Sequence, residues 1–165
     1  MEAKPKLFVA PIGGPEFLSF LAKNNRSESV EGRIHSQYAD QLRAGGKLHG
    51  AEALYACGHV LGAYSYGITP LPRAPRAVSA RLDVVVSNRI LRGMGIGAIM
   101  MASFVKNMLV TYGDNLRHLS TVAVHPAVER YMSRFGFVTA LQSDETPVMD
   151  LHLTDGDQDG VLRQV

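Results

Sequence analysis

Cysteine is nearly absent from this sequence. Its 165 residues include one, Cys57, so neither an intrachain disulfide nor a zinc site built from several cysteines can form. A lone thiol is typical of proteins from a reducing compartment.

An excess of one charge is also missing. Seventeen Lys and Arg residues stand against fifteen Asp and Glu residues, which gives a formal net charge of +2. Nucleic-acid-binding domains usually carry a strong excess of basic residues. We therefore expect no nucleic acid among the partners of this protein.

Long hydrophobic runs are scarce as well. The most apolar stretch, residues 93–113, has three glycines near its start and Lys106 in its middle. A membrane span needs about twenty apolar residues without such interruptions, so this stretch predicts a buried helix and no membrane contact. Residues 1–6 lead into no long apolar segment of the kind that signal peptides have. We expect a cytoplasmic protein.

The composition is that of a folded domain. Hydrophobic residues make up 46% of the chain and charged residues 19%, which excludes a disordered chain, a collagen-like chain and a highly charged coiled coil. A chain of this length can bury roughly two-thirds of its unfolded surface. We predict a single domain over residues 1–153, followed by a polar, flexible tail over residues 154–165.

Strand-forming and helix-forming segments follow one another in the order β-α-α-β-β-β-α-β-α-β-β. Helical patterns begin near Pro15, Ile34, Gly97 and Pro126. The strand patterns predict two hairpins, one in the middle of the chain and one at its end. These patterns cover residues 7–12, 53–57, 60–68, 79–87, 119–124, 137–141 and 147–153.

A glycine-rich turn lies between the strand of residues 79–87 and the helix that follows it. The first amides of a helix have no intrahelical acceptor, and the helix dipole adds partial positive charge there. Glycines let a phosphate approach the backbone closely, and an arginine adds a full charge. The turn therefore predicts a pyrophosphate site made of Arg92, Gly93, Met94, Gly95, Ile96, Gly97 and Ala98.

Three known glycine-rich motifs that bind phosphate can be compared with this turn. A Walker loop needs Gly-Lys-Ser/Thr, but Ala98 follows Gly97. A dinucleotide fingerprint needs a third glycine where Met100 stands, and an acidic residue at the end of the next strand, which is lacking. The third pattern, Arg-x-x-Gly-x-Gly, is met by Arg92, Gly95 and Gly97.

On these residues the chain resembles the GCN5-related N-acetyltransferase (GNAT) family, in which the turn Arg/Gln-x-x-Gly-x-Gly/Ala holds the pyrophosphate of acetyl-CoA. A second block, residues 124–138, is similar to a strand–helix segment of the family that ends in Gly-Phe, here Gly136 and Phe137. Together the blocks cover roughly residues 79–138. The resemblance implies a GNAT-like mixed α/β (α+β) fold with a mainly antiparallel central sheet and helices on both faces.

The resemblance also implies the cofactor and the mechanism. The pantetheine arm of acetyl-CoA would bond the amides of Val84, Val85, Val86 and Ser87, where their strand splays from the next one. A backbone N–H there would polarise the thioester carbonyl. The acceptor amine would attack directly, after losing a proton, and the CoA thiolate would gain one. We expect no metal in this chemistry.

Candidates for the base are few. Asp83 lies directly before the cofactor-binding run, on the face of the strand that Val85 shares. It is either a base or amine-binding carboxylate, or a surface acid paired with Arg81. Glu52 and His59, near the predicted hairpin, are weaker candidates.

The usual proton donor of the family has no direct counterpart. Many relatives carry a Tyr five residues before the Phe of the Gly-Phe pair, and the residue here is Met132. Tyr131 is one residue earlier and would point about 100° away around the helix. The frequent Asn at the start of this helix is His125, either a catalytic residue or a helix cap. Tyr131 and His125 are the candidate catalytic residues, with water or another hydroxyl as the alternative donor.

The sequence thus predicts an acyltransferase that moves the acetyl group of acetyl-CoA to an amine of a small molecule or to a peptide N-terminus. Two alternatives remain. One is an acyl-CoA-binding protein of the same fold with weak or lost catalysis, which Met132 favours, and the other is a nucleotide-binding module. Many relatives pair as homodimers, which makes a second copy of the chain a candidate partner.

Overall fold

A computed structural model describes residues 6–26, 28–141, 146–154 and 156–165. The predicted order of elements is confirmed, with one helix added at the end. Single 3₁₀ turns lie at Arg89–Leu91 and Gly113–Asn115. The strands and helices are β1 (Leu7–Pro11), α1 (Gly14–Asn24), α2 (Val30–Arg43), β2 (Gly50–Ala56), β3 (His59–Pro70), β4 (Val78–Ser87), α3 (Ile96–Tyr112), β5 (Leu116–Val122), α4 (Pro126–Ser133), β6 (Val138–Leu141), β7 (Val148–His152) and α5 (Asp157–Leu162).

The strands form one mixed sheet in the order β1-β2-β3-β4-β5-β7-β6. β1 runs antiparallel to β2, with Leu7 opposite Ala56. β7 runs antiparallel to both β5 and β6, which confirms the predicted hairpin at the end of the chain. β4 and β5 are parallel. The mixed, mainly antiparallel sheet is the one that the sequence predicts.

The chain divides into two compact units, each built from two segments. The first unit holds residues 1–65 and 84–100, and the second holds residues 66–83 and 101–165. The strands β3 and β4 and the helix α3 contribute to both. The whole glycine-rich turn belongs to the first unit. That residues 1–153 form a single domain stays a prediction.

The core of the first unit packs helices α1 and α2 against alternate strand residues. The strands supply small side chains, which leaves room for Phe17 of α1, none of whose surface is exposed. Pro15 suits the first turn of α1, where its missing N–H costs no hydrogen bond. The buried cluster consists of Phe17, Leu21, Ala39, Ala51, Ala53, Ala63, Val84 and Val86.

The opposite face of the same strands receives the start of α3. At Gly62 of β3 a Cβ would lie 2.6 Å from Cγ2 of Ile96 and 3.3 Å from the carbonyl oxygen of Val86. A side chain at this position would therefore push the helix away. Gly62 allows the start of α3 to lie close to the sheet, and so fixes where the glycine-rich turn must end.

Helix α3 is an apolar helix, as its sequence predicts. By length and composition, residues 96–115 could cross a membrane, a test that the core helix of a soluble protein also passes. Phe104, Val105 and Met108 are buried inside the fold. Tyr66 of β3 packs its ring against Phe104, with ring centroids 6.3 Å apart. These contacts are those of a core helix.

The Gly-Phe pair after α4 closes that helix. Gly136 has a φ of +91°, in the left-handed region that favours glycine. Its N–H donates to the carbonyl of Ser133 at 3.1 Å, and the N–H of Phe137 donates to the carbonyl of Met132 at 3.3 Å. This is the Schellman pattern of a helix C-terminus. The Gly-Phe pair therefore has a structural role at the end of α4. The ring of Phe137 is also buried.

The end of the chain differs from the prediction of a flexible tail. It contains α5, in which Gln158 and Val161 are buried. The side-chain amide of Gln158 donates to the carbonyl of Leu116 at 3.3 Å. The sequence does not predict this helix, because only Val161 and Leu162 are apolar in it and they form no helical pattern of apolar residues. The segment is thus a short docked helix in a polar sequence.

His35 of α2 is a buried imidazole, 3% exposed. Burial lowers the pKa of His35 from its ordinary 6.5 to about 4. The carboxylate of Glu31 lies 3.9 Å from its Nε2. Since the unfolded chain binds this proton more readily than the folded protein does, the folded state loses stability as the pH falls from 6.5 toward 4.

We expect His35→Leu to remove this loss on acidification. Between about pH 7.5 and about pH 4.5, the free energy of unfolding of the variant should improve by roughly 2–3 kcal/mol relative to the unmodified protein. Urea unfolding at the two pH values measures this difference. The exposed His49 provides the matched control, His49→Leu. An equal loss of stability in all three proteins would contradict the account of His35.

Candidate functional site

The turn between β4 and α3 is ordered by Asn88. The backbone N–H of Asn88 donates to the carbonyl of Leu61 in β3 at 2.8 Å, and its side-chain oxygen accepts from the N–H of Ile90 at 3.0 Å. The N–H of Leu91 donates to the carbonyl of Asn88 at 3.0 Å. Where the sequence predicts a plain loop, the chain makes a 3₁₀ turn that leads to Arg92.

Two glycines carry the chain from Arg92 into α3. Gly93 and Gly95 both have a φ of +81°, a conformation that favours glycine. A Cβ at either residue would meet no atom of the described chain within 4 Å, so packing does not explain their small size. At Gly97, a Cβ would make an ordinary contact, 3.8 Å from Oγ of Ser87. The backbone of this turn is therefore open to a ligand.

Helix α3 begins with amides that have no acceptor within the helix. Its first backbone hydrogen bond joins the N–H of Ile99 to the carbonyl of Gly95 at 3.1 Å. The amides of Ile96, Gly97 and Ala98 therefore come before any intrahelical acceptor. The helix dipole places about half a positive charge at the same end. Together these groups can bind the oxygens of a phosphate.

Arg92 is held beside the turn by Asn24, the last residue of α1. Nη2 of Arg92 donates to the carbonyl of Asn24. The side-chain oxygen of Asn24 accepts from the N–H of Arg89 at 2.9 Å, and its Nδ2 donates to the carbonyl of Phe20 at 2.8 Å. A guanidinium has five N–H donors, so this bond leaves others for an anion. The sequence does not reveal Asn24, because 68 residues separate it from Arg92.

A basic cleft of about 550 Å³ opens beside Arg92, lined by the end of α1 and by the 3₁₀ turn. No acidic side chain of the described residues lines it, although the chain as a whole carries a net charge of only +2. Such a concentration of positive charge attracts phosphates. Arg89 is close to Arg92 in the sequence, whereas Lys23 and Arg26 come from a distant segment that the sequence alone does not connect with this turn. The cationic residues of the cleft are Lys23, Arg26, Arg89 and Arg92.

The residues predicted to bind the pantetheine arm are the last four of β4. Val84 and Val86 face the core and are almost fully buried. Val85 and Ser87 are half-buried on the other face. The ladder of β4 with β5 ends at the pair of Leu82 with Thr121, five residues before β4 ends. The predicted splaying of the two strands stays a prediction.

Asp83 forms an ion pair on its own strand. Nε of Arg81 lies 2.5 Å from Oδ1 of Asp83, whose side chain is only 9% exposed. This is the pairing that the sequence predicts as the alternative to a catalytic role. The second oxygen, Oδ2, faces Gly67, since a Cβ there would lie 3.6 Å from it.

Helix α4 holds the two other catalytic candidates. His125 caps the helix, and its Nδ1 accepts from the N–H of Ala127 at 3.0 Å. Tyr131 packs edge-on against Phe135, with ring centroids 5.1 Å apart. Burial raises the pKa of Tyr131, and the charge of Arg134 offsets this only in part. The phenol therefore stays protonated at neutral pH. Catalytic roles for both residues stay predictions.

A carboxylate–phenol pair in the first unit is less evident from the sequence. Tyr64 of β3 is fully buried, and its hydroxyl donates to Oε2 of Glu52 in β2. Twelve residues separate the two, and only the pairing of the strands brings them together. The pair lies in the same unit as the glycine-rich turn, whereas Asp83, His125 and Tyr131 belong to the second unit.

Known structures share this architecture. The chain is similar to a mutant of the AtaT toxin bound to the C-terminus of the antitoxin AtaR and acetyl-CoA, with a TM-score of 0.58 and 18% identity over 94% of this chain and 96% of that one. It is also similar to the GNAT family N-acetyltransferase YhbS from Escherichia coli in complex with CoA, with a TM-score of 0.64 and 16% identity over 97% and 88% of the two chains.

A third similar structure is ribosomal-protein-alanine N-acetyltransferase from Brucella melitensis, with a TM-score of 0.57 and 17% identity over 88% of this chain and 99% of that one. No protein-family model and no curated protein matches the sequence. Identities this low establish the fold alone. From its sheet, its helices and these likenesses, the chain has the fold of the GCN5-related N-acetyltransferases.

Proposed function

We propose that this protein is an acetyl-CoA-dependent N-acetyltransferase. The observation that carries the proposal is the turn that leads from Arg92 to the start of α3, where the amides of Ile96, Gly97 and Ala98 precede the first intrahelical hydrogen bond. Unbonded amides with an adjacent guanidinium suit a pyrophosphate. Two proteins of the same fold support the choice of ligand, since YhbS is in complex with CoA and the AtaT mutant with acetyl-CoA.

The first unit would hold the cofactor along one continuous stretch of chain. Arg92 and the amides of Ile96–Ala98 would bind the pyrophosphate, and the amides of residues 84–87 would bind the pantetheine arm. Asn24 would keep the guanidinium of Arg92 in place through its backbone carbonyl. Amides fixed in a strand and in a helix need no reorganisation when the ligand binds, which favours affinity.

Acetyl transfer would follow as a direct attack by an amine. The amine nitrogen bonds to the carbonyl carbon, the C–S bond breaks, and the CoA thiolate leaves. A base must remove a proton from the amine, and an acid must supply one to the thiolate. We propose Asp83 as the base, acting through Oδ2, because it directly precedes the pantetheine-binding run. Holding both substrates in place supplies much of the acceleration.

The acceptor would be the amine of a small molecule or a peptide N-terminus. The Brucella melitensis protein of the same fold, a ribosomal-protein-alanine N-acetyltransferase, supports an acceptor of the second kind. We further propose that the protein acts in the cytoplasm and that a second copy of the chain is its partner, as the sequence predicts.

A second candidate function is the binding of acyl-CoA without catalysis. Met132 favours it, because this residue stands where many relatives carry a proton-donating Tyr and its fully buried thioether has no proton to donate. Release of CoA thiol with a panel of primary amines separates the two functions. Tight CoA binding without thiol release from any amine would favour the binding protein.

The phosphate site can be tested at two residues. Gly95→Ala adds a side chain next to the amides of Ile96 and Gly97, and Arg92→Ala removes the guanidinium. We expect each change to raise the dissociation constant for CoA by about tenfold to a hundredfold, the range for a lost hydrogen bond to a charged group. Isothermal titration calorimetry with CoA measures the effect.

The chain offers a matched control for each change. Gly58 has a φ of +79°, and a Cβ there would also meet no described atom within 4 Å, but Gly58 lies in the turn between β2 and β3. Gly58→Ala therefore introduces the same kind of backbone strain as Gly95→Ala but adds no side chain at the proposed phosphate site. Arg43 of α2 is exposed, so Arg43→Ala removes a charge away from the turn. Unchanged CoA affinity in folded Gly95→Ala and Arg92→Ala would place the phosphate site elsewhere.

The base can be tested by replacing a carboxylate with its amide. We expect Asp83→Asn to lower kcat/KM by about a hundredfold at neutral pH. The deficit should shrink toward about pH 10, because more of the acceptor amine is then deprotonated in solution. CoA release with the best amine of the panel gives the pH profile.

Glu52→Gln is the comparison variant, since it removes the carboxylate that Tyr64 bonds. A larger deficit in Glu52→Gln than in Asp83→Asn would assign the base to Glu52. A pH profile of Asp83→Asn that overlays that of the unmodified enzyme would equally show that Asp83 is not the base.

A further inference from the structure

Three metal-ligating side chains meet on the polar face of β5 and β7 in the second unit. The antiparallel register sets His118 directly opposite His152, and Ser120 opposite Asp150. Side chains two residues apart on a strand share a face, so Asp150 and His152 both lie beside His118. We call His118, Asp150 and His152 the His118 cluster. It has no part in the proposed acetyl transfer.

The side chains of the cluster are in close contact. Nε2 of His118 lies 3.0 Å from Oδ1 of Asp150. The rings of His118 and His152 stack, with centroids 4.7 Å apart and planes at 25°. One donor atom from each of the three residues lies within 4.8 Å of the other two. Two imidazole nitrogens and one carboxylate oxygen thus converge on a small volume.

The buried nitrogen of His118 is the observation that points to a ligand. Nε2 has no hydrogen bond to any described residue, although the carboxylate oxygen of Asp150 is only 3.0 Å away. The contact therefore lacks the alignment of a hydrogen bond. A nitrogen and an oxygen that are this close, yet not directed at each other, can both be directed at a third atom. Without such an atom, a buried polar nitrogen costs stability.

Ser79 of β4 holds the other nitrogen of the same ring. The parallel register aligns Ser79 with His118, and its Oγ lies 2.8 Å from Nδ1. When Nδ1 donates its proton to this hydroxyl oxygen, Nε2 keeps a lone pair for a metal. Metal-binding histidines commonly bond a second group through their other nitrogen, which fixes the tautomer and the ring orientation.

We propose that the His118 cluster binds a divalent transition-metal ion, and that zinc suits it best. Zinc takes histidine nitrogen and carboxylate oxygen at about 2.0–2.2 Å in tetrahedral geometry, which sets donors about 3.4 Å apart. His118 and Asp150 are already near this spacing. His152 is exposed, so its ring is free to turn inward by the remaining ångström or so. The fourth position would face solvent and take water.

The ion would join β5 to β7 by side-chain bonds in addition to their backbone ladder. Because the three ligands come together only when these strands pair, zinc would bind the folded chain and stabilise it by mass action. The probe for the test is Zn²⁺ alone. It is added to tag-free, chelator-treated protein in competition with a chromophoric chelator.

We expect one Zn²⁺ per chain, with a dissociation constant in the micromolar range or tighter, and a rise in the unfolding temperature on adding zinc. His152→Ala removes an exposed ligand without disturbing the core, and should weaken zinc binding by about a hundredfold. Ser79→Ala should weaken it by about tenfold, the usual effect of losing the group that orients a ligand. His49→Ala, which removes an exposed histidine outside the cluster, should change nothing.

Co²⁺ gives a second measurement, its visible absorption, in which histidines with only a structural role would give no signal. Bound in place of zinc, it should show the visible absorption of a tetrahedral site, and this absorption should be lost in His152→Ala and in Asp150→Asn. Far-UV circular dichroism checks that the variants are folded. Absence of saturable zinc binding would overturn the proposal. Equal affinity for zinc in the unmodified protein and in folded His152→Ala and Asp150→Asn would overturn it as well.

Discussion

The open amides at the start of α3 are the feature on which the proposed function depends. Two local constraints produce them. Gly95, with its left-handed backbone, directly precedes Ile96, the first residue of the helix, and glycine has no side chain that could cap it. Gly62 lets that end of the helix lie close to β3. A third constraint comes from α1, because the carbonyl of Asn24 accepts a hydrogen bond from Arg92 and so holds the guanidinium in one position. We propose that strand, turn and helix together make one anion site.

Several features of this site oppose stability rather than support it. Four cationic side chains surround one cleft, where their charges repel one another in the absence of an anion. Glycines with a positive φ lose more conformational entropy on folding than other residues. Local conflicts of this kind are common where a protein binds a ligand, and a bound pyrophosphate would relieve both the repulsion and the unpaired amides.

Local signals explain what the sequence could predict. The apolar run of β4, the glycines of the turn and the Gly-Phe pair after α4 each act within a few residues, and each is found where the pattern indicates. The sequence pattern predicts a start of α2 near Ile34, whereas the helix begins at Val30, because Ser29 caps it inside a polar stretch that is typical of a loop. Asn24, the pairing of Glu52 with Tyr64 and the His118 cluster depend on contacts between distant segments. No pattern in the sequence could assign them, since strand register and helix packing decide them.

The central claim is that main-chain amides of α3 bind the pyrophosphate of CoA. Amide chemical shifts of ¹⁵N-labelled protein during a titration with CoA test it most directly, because each amide reports its own hydrogen bonding. The account predicts that the amides of Ile96, Gly97 and Ala98 shift most, while that of Gly58 in the turn between β2 and β3 stays unchanged. Saturable CoA binding that leaves these three amides at their original shifts would contradict it.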